Sequence, residues 1–483
     1  MSQLSLSTLA QNLKIPPDFL RLEYITDTVV LSELEHWKHG ATSMLEDILQ
    51  IVRAKERESL PVDIRGDVLF AALPFSSQPI PNKDGSLQAP YGNEPWISSD
   101  SQLIANDILS SNLLSPSPDL ITQILAHKLK PIFKFSPHPH LHVETGRKVF
   151  SHVGGPLAVH DYYEDQKWKE YPGVEKIILW CVSGIQENAY ETMWHLLIPP
   201  IMTLLDDYEA RNKLHGVVIV QQMLLSVQKD LLRRTGVDGL LRQSLKTSLS
   251  YLQSPETPQL LKRAIEASVC LTLLTTSTSQ GTKPSPNRFN ELSSLLGEGI
   301  ISGIWIYAED KPDAVNATFE ALPSLLNALS IGSIRFMKPL IPQLTHTLIP
   351  RPLVESDIKM QLSAIRVLDT LLDVCKPRIE PWKETILNAI GRCWVGLIDE
   401  ESSSTESGAV LATCLVRIRV THWITVPQNQ RDTSEVKRGL QMLCVKLAKI
   451  CPSAIQNEFP RFLQANKALF EGLLPRQVNI VPA

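Results

Sequence analysis

The sequence predicts an all-α protein, built as a solenoid of stacked helical hairpins with long loops in its N-terminal half. Three observations lead to this fold class. Apolar residues recur at helical spacing through most of the chain after residue 174. Prolines (34) outnumber glycines (22) and cluster between and at the starts of the helical segments, where helices accept them and central strands do not. The helical segments also pair into hairpins that are similar to one another.

Three regions follow one another along the chain. Residues 1–130 are predicted to be a variable helical region with a loop insert near 73–95, which is rich in proline, serine and glycine. Residues 131–173 contain histidines, prolines and aromatic residues without a sustained period, which predicts an extended linker segment. Residues 174–483 are predicted to form the solenoid, with flexible surface loops at 275–287 and 399–408.

Residues 194–224 show one hairpin most clearly. The first helix places these residues on one face: Trp194, Leu197, Ile198, Ile201, Leu204 and Leu205. Pro199 and Pro200 lie inside this run and lack an N–H, so they are expected to kink or restart the helix. Asp206 and Asp207 stand where a second helix begins, and an aspartate there can accept the free N–H groups of the first turn.

Similar hairpins recur toward the C-terminus. Pro339 and Pro381 are 42 residues apart, within the roughly 40 to 47 residue period of HEAT and armadillo repeats. Because a single hairpin leaves its second face uncovered, neighbouring hairpins must stack on it. The sequence therefore predicts a HEAT/armadillo-like α-solenoid.

Composition argues against several functional classes. A formal net charge of −4 gives no global attraction to nucleic acid or to anionic membranes. The apolar runs are interrupted well before the roughly 18 residues of a membrane-spanning helix, and the N-terminus lacks the basic and apolar regions of a secretory signal. The seven cysteines occur singly without a C-x-x-C pair, which predicts buried thiols in a reducing compartment.

The catalytic and metal motifs that the sequence offers are each incomplete. The glycines of residues 297–303 lack the preceding strand of a nucleotide-binding loop and favour helix packing. Glu33 and His36 have the spacing of a di-iron motif, but the second such motif is missing. The densest histidine group could ligate zinc, although no cysteine completes the set: His138, His140, His142, His152 and His160. We therefore predict no catalytic residue, no metal ligand and no cofactor. The basic stretch 229–246 is interpreted as a solvated helix face.

Two blocks of sequence resemble the family of the smaller Tel-two-interacting protein (Tti-two), especially its fungal members. The linker block, which begins "TGRK", fits the family at Thr145, Gly146, Arg147, Lys148, Gly154, Gly155, Asp161, Tyr162 and Trp168. The hairpin block, "WHLLIPPIMTLLDDYEARNKLHG", fits it at Trp194, Pro199, Pro200, Leu204, Leu205, Asp206, Asp207 and Gly216. The resemblance runs from about His138 through the C-terminal helices.

This resemblance implies a non-catalytic scaffold subunit of the Triple T (TTT) co-chaperone complex, bound to Tel-two and to the larger Tel-two-interacting protein (Tti-one). It implies that the complex works with the ninety-kilodalton heat-shock chaperone and an R2TP-type adaptor. The clients are phosphatidylinositol-kinase-related protein kinases (PIKKs), hence DNA-damage and TOR signalling. No nucleic acid, membrane or small-molecule substrate is implied. The expected location is the cytoplasm, with the nucleus as a second compartment.

Partner contacts are expected in the linker segment. Trp168, Tyr162 and Tyr163 lie in aperiodic sequence where no helical core claims them, and Arg147 and Lys148 join them as candidates. An equally weighted alternative is that the aromatic residues fasten the linker to this chain's own helices. Two other functions stay open, a generic α-solenoid adaptor for transport or another scaffold, and an enzyme that uses the histidine-rich segment around a metal.

Overall fold

The structure, a computed structural model, describes residues 5–19, 28–55, 60–77, 80–81, 87–88, 94–135, 138–149, 166–276, 286–350, 357–414 and 428–475. These residues are helical apart from loops, one antiparallel pairing of β1 (Ile80–Pro81) with β2 (Leu87–Gln88), and an isolated bridge between Leu141 and Lys148. The predicted all-α solenoid of stacked helical hairpins is confirmed. Among the residues described, no helix is both long enough and apolar enough to span a bilayer.

The chain divides into two compact units, Met1–Ser248 and Leu249–Ala483. The region boundaries predicted near 130 and 173 both fall inside the first unit and stay predictions. Much of the loop insert predicted at 73–95 lies outside the described residues, as do residues 277–285 of the loop predicted at 275–287.

The first unit contains eleven α-helices among its described residues. They are α1 (Leu6–Asn12), α2 (Thr28–Ala54), α3 (Val62–Ala72), α4 (Ser99–Leu109), α5 (Pro118–Gln123), α6 (Lys130–Phe133), α7 (Val174–Gly184), α8 (Tyr190–Leu205), α9 (Ala210–Leu224), α10 (Lys229–Thr235) and α11 (Val237–Ser248). A π-helical turn, Ile124–Leu129, joins α5 to α6. Helix α9 packs against both α7 and α8.

The second unit stacks its helices in two rows. Its described helices are α12 (Thr257–Thr276), α13 (Pro286–Ser294), α14 (Pro312–Leu329), α15 (Met337–Leu348), α16 (Ile358–Val374), α17 (Lys383–Cys414), α18 (Gln428–Ile450), α19 (Ser453–Gln456) and α20 (Glu458–Phe470). Helices α12, α14, α16 and α18 pack on one another in that order, while α15, α17 and α20 form the second row. This alternation is the arrangement that a repeat of helical hairpins produces.

Two local expectations are corrected. Residues 399–408 are not a loop, because they continue α17, and no proline interrupts that helix between its two ends. Pro199 and Pro200 do not restart the first helix of the hairpin, because both lie inside α8, which runs unbroken to Leu205. Residues 297–303 are confirmed as helical, within a π-helical stretch from Leu295 to Trp305 that continues α13.

Candidate functional site

The turn between α8 and α9 brings two helices unusually close. Asp206 ends α8, and α9 begins at Ala210. A Cβ added to Gly216 would lie 2.5 Å from both Cα and N of Leu205. A side chain at this position would therefore collide with the backbone of α8, which explains why a glycine stands in this turn of α9.

Asp206 ties this turn to the beginning of the linker. Its Oδ2 lies 2.9 Å from Nε2 of His138, whose side chain is almost fully buried. The backbone N–H of His140 donates to Nδ1 of His138 at 3.3 Å, so Nε2 carries the proton and donates to the carboxylate. Burial opposes ionisation of Asp206, but the hydrogen bond from His138 and the charge of Lys213 hold its pKa below the ordinary value.

Lys213 closes the end of α8 from the opposite side. Its side chain is buried, and its Nζ donates to the carbonyl oxygen of Leu205 at 2.6 Å. Burial lowers the pKa of Lys213, an effect that the charges of Asp206 and Asp207 oppose. The turn thus places the half-buried Asp206 and the buried Asp207 close enough to the buried base Lys213 for their charges to act on it.

Asp207 ties the same turn to the end of the linker. This residue is fully buried, its Oδ1 accepts the backbone N–H of Glu209 at 2.8 Å, and its Oδ2 lies 2.9 Å from Nζ of Lys169. Burial lowers the pKa of Lys169, but the neighbouring carboxylates of Asp207 and Glu209 outweigh it and raise the value. The expectation that an aspartate caps the first turn of the second helix needs correction. Glu209 precedes α9, so Asp207 closes the turn itself.

The "TGRK" segment is docked onto α8 through its glycine. Gly146 has a φ of +61°, and a Cβ there would lie 3.2 Å from both Cδ1 and the carbonyl oxygen of Trp194. Nε1 of Trp194 donates to the carbonyl oxygen of Gly146 at 3.2 Å. The next residues are held as well, since the N–H of Lys148 donates to Thr235 at 2.9 Å. Gly146 therefore faces inward while Arg147 remains exposed.

Trp168 is an interior residue in this structure. Its ring is 4% exposed and is stacked on Phe133 at 5.9 Å with an interplanar angle of 10°. Its Nε1 donates to Oε1 of Gln166 at 3.1 Å. These contacts are those of the alternative in which linker aromatics fasten the segment to its own chain. Tyr162 and Tyr163 lie outside the described residues, as do Gly154, Gly155 and Asp161, and a partner role for Arg147, Lys148 or Trp168 stays a prediction.

Two exposed aromatic residues flank Trp168 and were not singled out from the sequence. Phe135 is 60% exposed and Tyr208 is 58% exposed. Nζ of Lys167 lies 4.0 Å from the ring centre of Phe135, and Nζ of Lys169 lies 4.1 Å from that of Tyr208. The sequence could have identified Tyr208 as an exposed aromatic residue, because it follows the aspartate pair in a polar turn and does not lie on an apolar helix face.

A second buried charge cluster lies on α7 and contacts the segment that follows α3. Lys176 donates to the carbonyl oxygens of Pro74 and Ser76 at 3.0 and 2.9 Å. Its neighbour Glu175 is buried, and burial together with the nearby carboxylate of Glu94 raises the pKa of Glu175 to about 7. Neither residue was expected in the interior, because the sequence places both among ordinary helical polar positions.

In the described part of the histidine-rich segment, His138 has a structural contact. His138 is bonded to Asp206, while His142 is exposed. In the part of the chain that the structure describes, no group of three or more His, Cys, Asp or Glu side chains is arranged to hold a metal ion. His152 and His160 lie outside the described residues.

The linker and the hairpin both lie in a region that is similar to known proteins. A model of the Tti2 family matches residues 87–356, which is more than half of the chain and contains both the linker and the α8–α9 hairpin. The chain belongs to the Tti2 family. Similar curated proteins are TELO2-interacting protein 2 of Mus musculus and of Rattus norvegicus, each 25% identical over 134 residues. Each match covers 28% of this chain and 23% of the relative, so the chain spans less than a quarter of the length of these relatives.

Solved helical structures show lower similarity. A chain from the structure of Kap95p with RanGDP has a TM-score of 0.44 at 13% identity, over 95% of this chain and 50% of that chain. The karyopherin Kap121p bound to the SUMO protease Ulp1p has a TM-score of 0.42 at 12% identity, over 88% of this chain and 38% of that chain.

Proposed function

We propose that this chain is a non-catalytic scaffold subunit of the TTT complex, in contact with Tel-two and with the larger Tel-two-interacting protein. The observation that carries the proposal is the family match over residues 87–356. The name of the curated relatives, TELO2-interacting protein 2, supports Tel-two as one partner. In this role the chain supports the maturation and stability of PIKKs, together with the ninety-kilodalton heat-shock chaperone and its R2TP-type adaptor, in the cytoplasm and the nucleus.

The structure supports a scaffold that presents a fixed surface. Asp206 and Asp207 bind the two ends of the linker through His138 and Lys169, and Trp194 holds the "TGRK" segment through Gly146. A surface that is ordered before binding loses less conformational entropy when a partner arrives. Exposed Arg147 and half-buried Lys148 are the proposed partner contacts on this surface, and Tyr162, Tyr163 and Trp168 stay candidates from the sequence.

Affinity purification of the tagged chain at native expression level tests this proposal, with the stoichiometry of bound proteins measured by mass spectrometry. We expect two large helical-repeat partners, Tel-two and the larger Tel-two-interacting protein, in near one-to-one ratio, with PIKKs as weaker companions. Depletion of the chain should lower the steady-state amounts of several PIKKs together. A different stable set of partners, such as transport factors, would keep the solenoid and replace the function with that of a generic adaptor.

A further inference from the structure

Arg147 and Lys148 extend from a loop whose backbone is fixed on several sides. The N–H of His142 donates to the carbonyl oxygen of Arg147 at 2.8 Å, and the N–H of Val149 donates to His140 at 2.9 Å. The carbonyl oxygen of Gly146 accepts a hydrogen bond from Trp194. The backbone from which the two cationic side chains extend is therefore held in a defined place without help from their charges.

Lys148 lies along the junction between α10 and α11. Its N–H is bonded to Thr235, and its Cβ lies 3.2 Å from where a Cβ of Gly236 would stand. Its Nζ extends further, to 3.8 Å from the corresponding point on Gly239. Arg233, in the last turn of α10, is exposed beside the same junction and its carbonyl oxygen accepts the N–H of Gly236. The loop and the helix end thus place the backbones of three basic residues beside the α10–α11 junction.

These three residues have no carboxylate partner within the described ranges of the chain. The fourth cation of the junction, Arg234, is already paired with Glu191. Glu144, in the same loop, is exposed and is the one acid that the loop contributes. Asp230 of α10 is a second exposed acid and Asp238 is paired with Arg242, so among the described residues of this junction three unpaired cations stand against two unpaired acids, on a protein whose net charge is −4.

We propose that this basic patch, defined as Arg147, Lys148 and Arg233, binds a run of aspartate and glutamate side chains in a partner protein. The inference rests on the proposed scaffold function and adds the chemistry of the partner segment. Carboxylates fit because guanidinium groups donate to them in a bidentate manner. A nucleic acid fits less well, since three cations neutralise few phosphates and a net charge of −4 gives no global attraction to one.

The first test measures binding of the purified full-length chain to a recombinant complex of Tel-two and the larger Tel-two-interacting protein, at about 50 and about 300 mM salt. The variant Arg147→Glu with Lys148→Glu should bind about tenfold more weakly at low salt, mainly through slower association, and should lose most of the salt dependence. The matched control, Arg335→Glu with Lys338→Glu, makes the same change of charge at two exposed residues of the second unit and should bind as the wild type does. Equal weakening by both variants, or by neither, would overturn the proposal.

A second arm keeps the patch testable if the proposed function fails. A short fluorescein-labelled poly-glutamate peptide and a single-stranded DNA of equal length are titrated into the wild-type chain and into Arg147→Glu, which changes an exposed side chain and should keep the wild-type melting temperature. We expect the wild type to bind the peptide more tightly than the variant does, and more tightly than it binds the DNA. Tighter binding of DNA, or equal peptide binding by both chains, overturns the patch as a site for an acidic protein segment. Failure of the wild type to bind the Tel-two complex would overturn the proposed function alone.

Discussion

Replacing Gly216 by alanine should force α8 and α9 apart. The new Cβ would lie 2.5 Å from Cα and N of Leu205, whereas ordinary van der Waals contacts of a Cβ begin at 3.4 Å. The helices must therefore separate locally by about 0.9 Å, because the obstructing atoms are backbone and cannot rotate away. Leu205 itself is fully buried, so this movement opens space within the core.

The free-energy change can be estimated from two opposing effects. Overpacking of a dense core costs roughly 1 to 3 kcal/mol, and a rigid backbone obstacle places this case at or above the upper end. Alanine is favoured over glycine in a helix interior by about 1 kcal/mol, which offsets part of the loss. The expected net loss in the free energy of unfolding is therefore about 2 kcal/mol.

Urea unfolding followed by circular dichroism checks this estimate, with Gly40→Ala as the matched control. Gly40 also lies in a helix of the first unit, α2, but a Cβ there would meet nothing within 4 Å. This control should be stabilised by roughly 0.5 to 1 kcal/mol. If Gly216→Ala is as stable as the wild type, the close approach of α8 and α9 does not explain the glycine.

Three further variants test the linker and the buried charges. Asp207→Ala should lower the free energy of unfolding by roughly 2 to 3 kcal/mol, because the buried turn loses an acceptor and Lys169 loses its closest carboxylate. A loss below about 1 kcal/mol in urea titrations would show that these contacts stabilise the turn only weakly. Gly146→Ala should release the linker from Trp194, because the left-handed backbone costs alanine about 1 kcal/mol and the new Cβ would lie 3.2 Å from Trp194. Limited proteolysis should then cut residues 138–149 faster than in the wild type. An unchanged digest would contradict this docking. Glu175 keeps its proton to higher pH when folded (pKa about 7) than at its ordinary value of 4.5, so the wild type should lose stability as pH rises from 4.5 through 7. At 1.36 kcal/mol per pH unit the loss is at most about 3.4 kcal/mol. Glu175→Gln should flatten this profile in melting curves, and parallel profiles would refute it.

The periodicity of apolar residues predicted the helices well, because it shows which face of each helix is buried. The apolar positions of residues 194–224 place both helices of the hairpin, and the structure ends α8 at Leu205, directly before the aspartate pair. The partners of those aspartates were beyond reach, since His138 is 68 residues away from Asp206 in the chain. Nothing in the sequence around His138 or Asp206 indicates that their side chains are in contact.

Other differences arise where local composition and tertiary packing disagree. The serine- and glutamate-rich residues 399–408 suggested a loop, yet the absence of proline allows α17 to continue through them. For Trp168 the sequence left partner contact and internal packing equally open. Only the position of Phe133 in space shows what the indole ring contacts.

The aspartate pair gives the linker the topology of a closed loop. His138 and Lys169 are 31 residues apart, yet both are bound to adjacent residues of a single turn. The base of the loop is fixed whatever its length, and doubling that length would cost only about 0.6 kcal/mol of closure entropy. A change in the number of residues between Val149 and Gln166 should therefore have little effect on the hairpin, since the contacts of His138, Gly146 and Lys169 with the hairpin lie outside that interval.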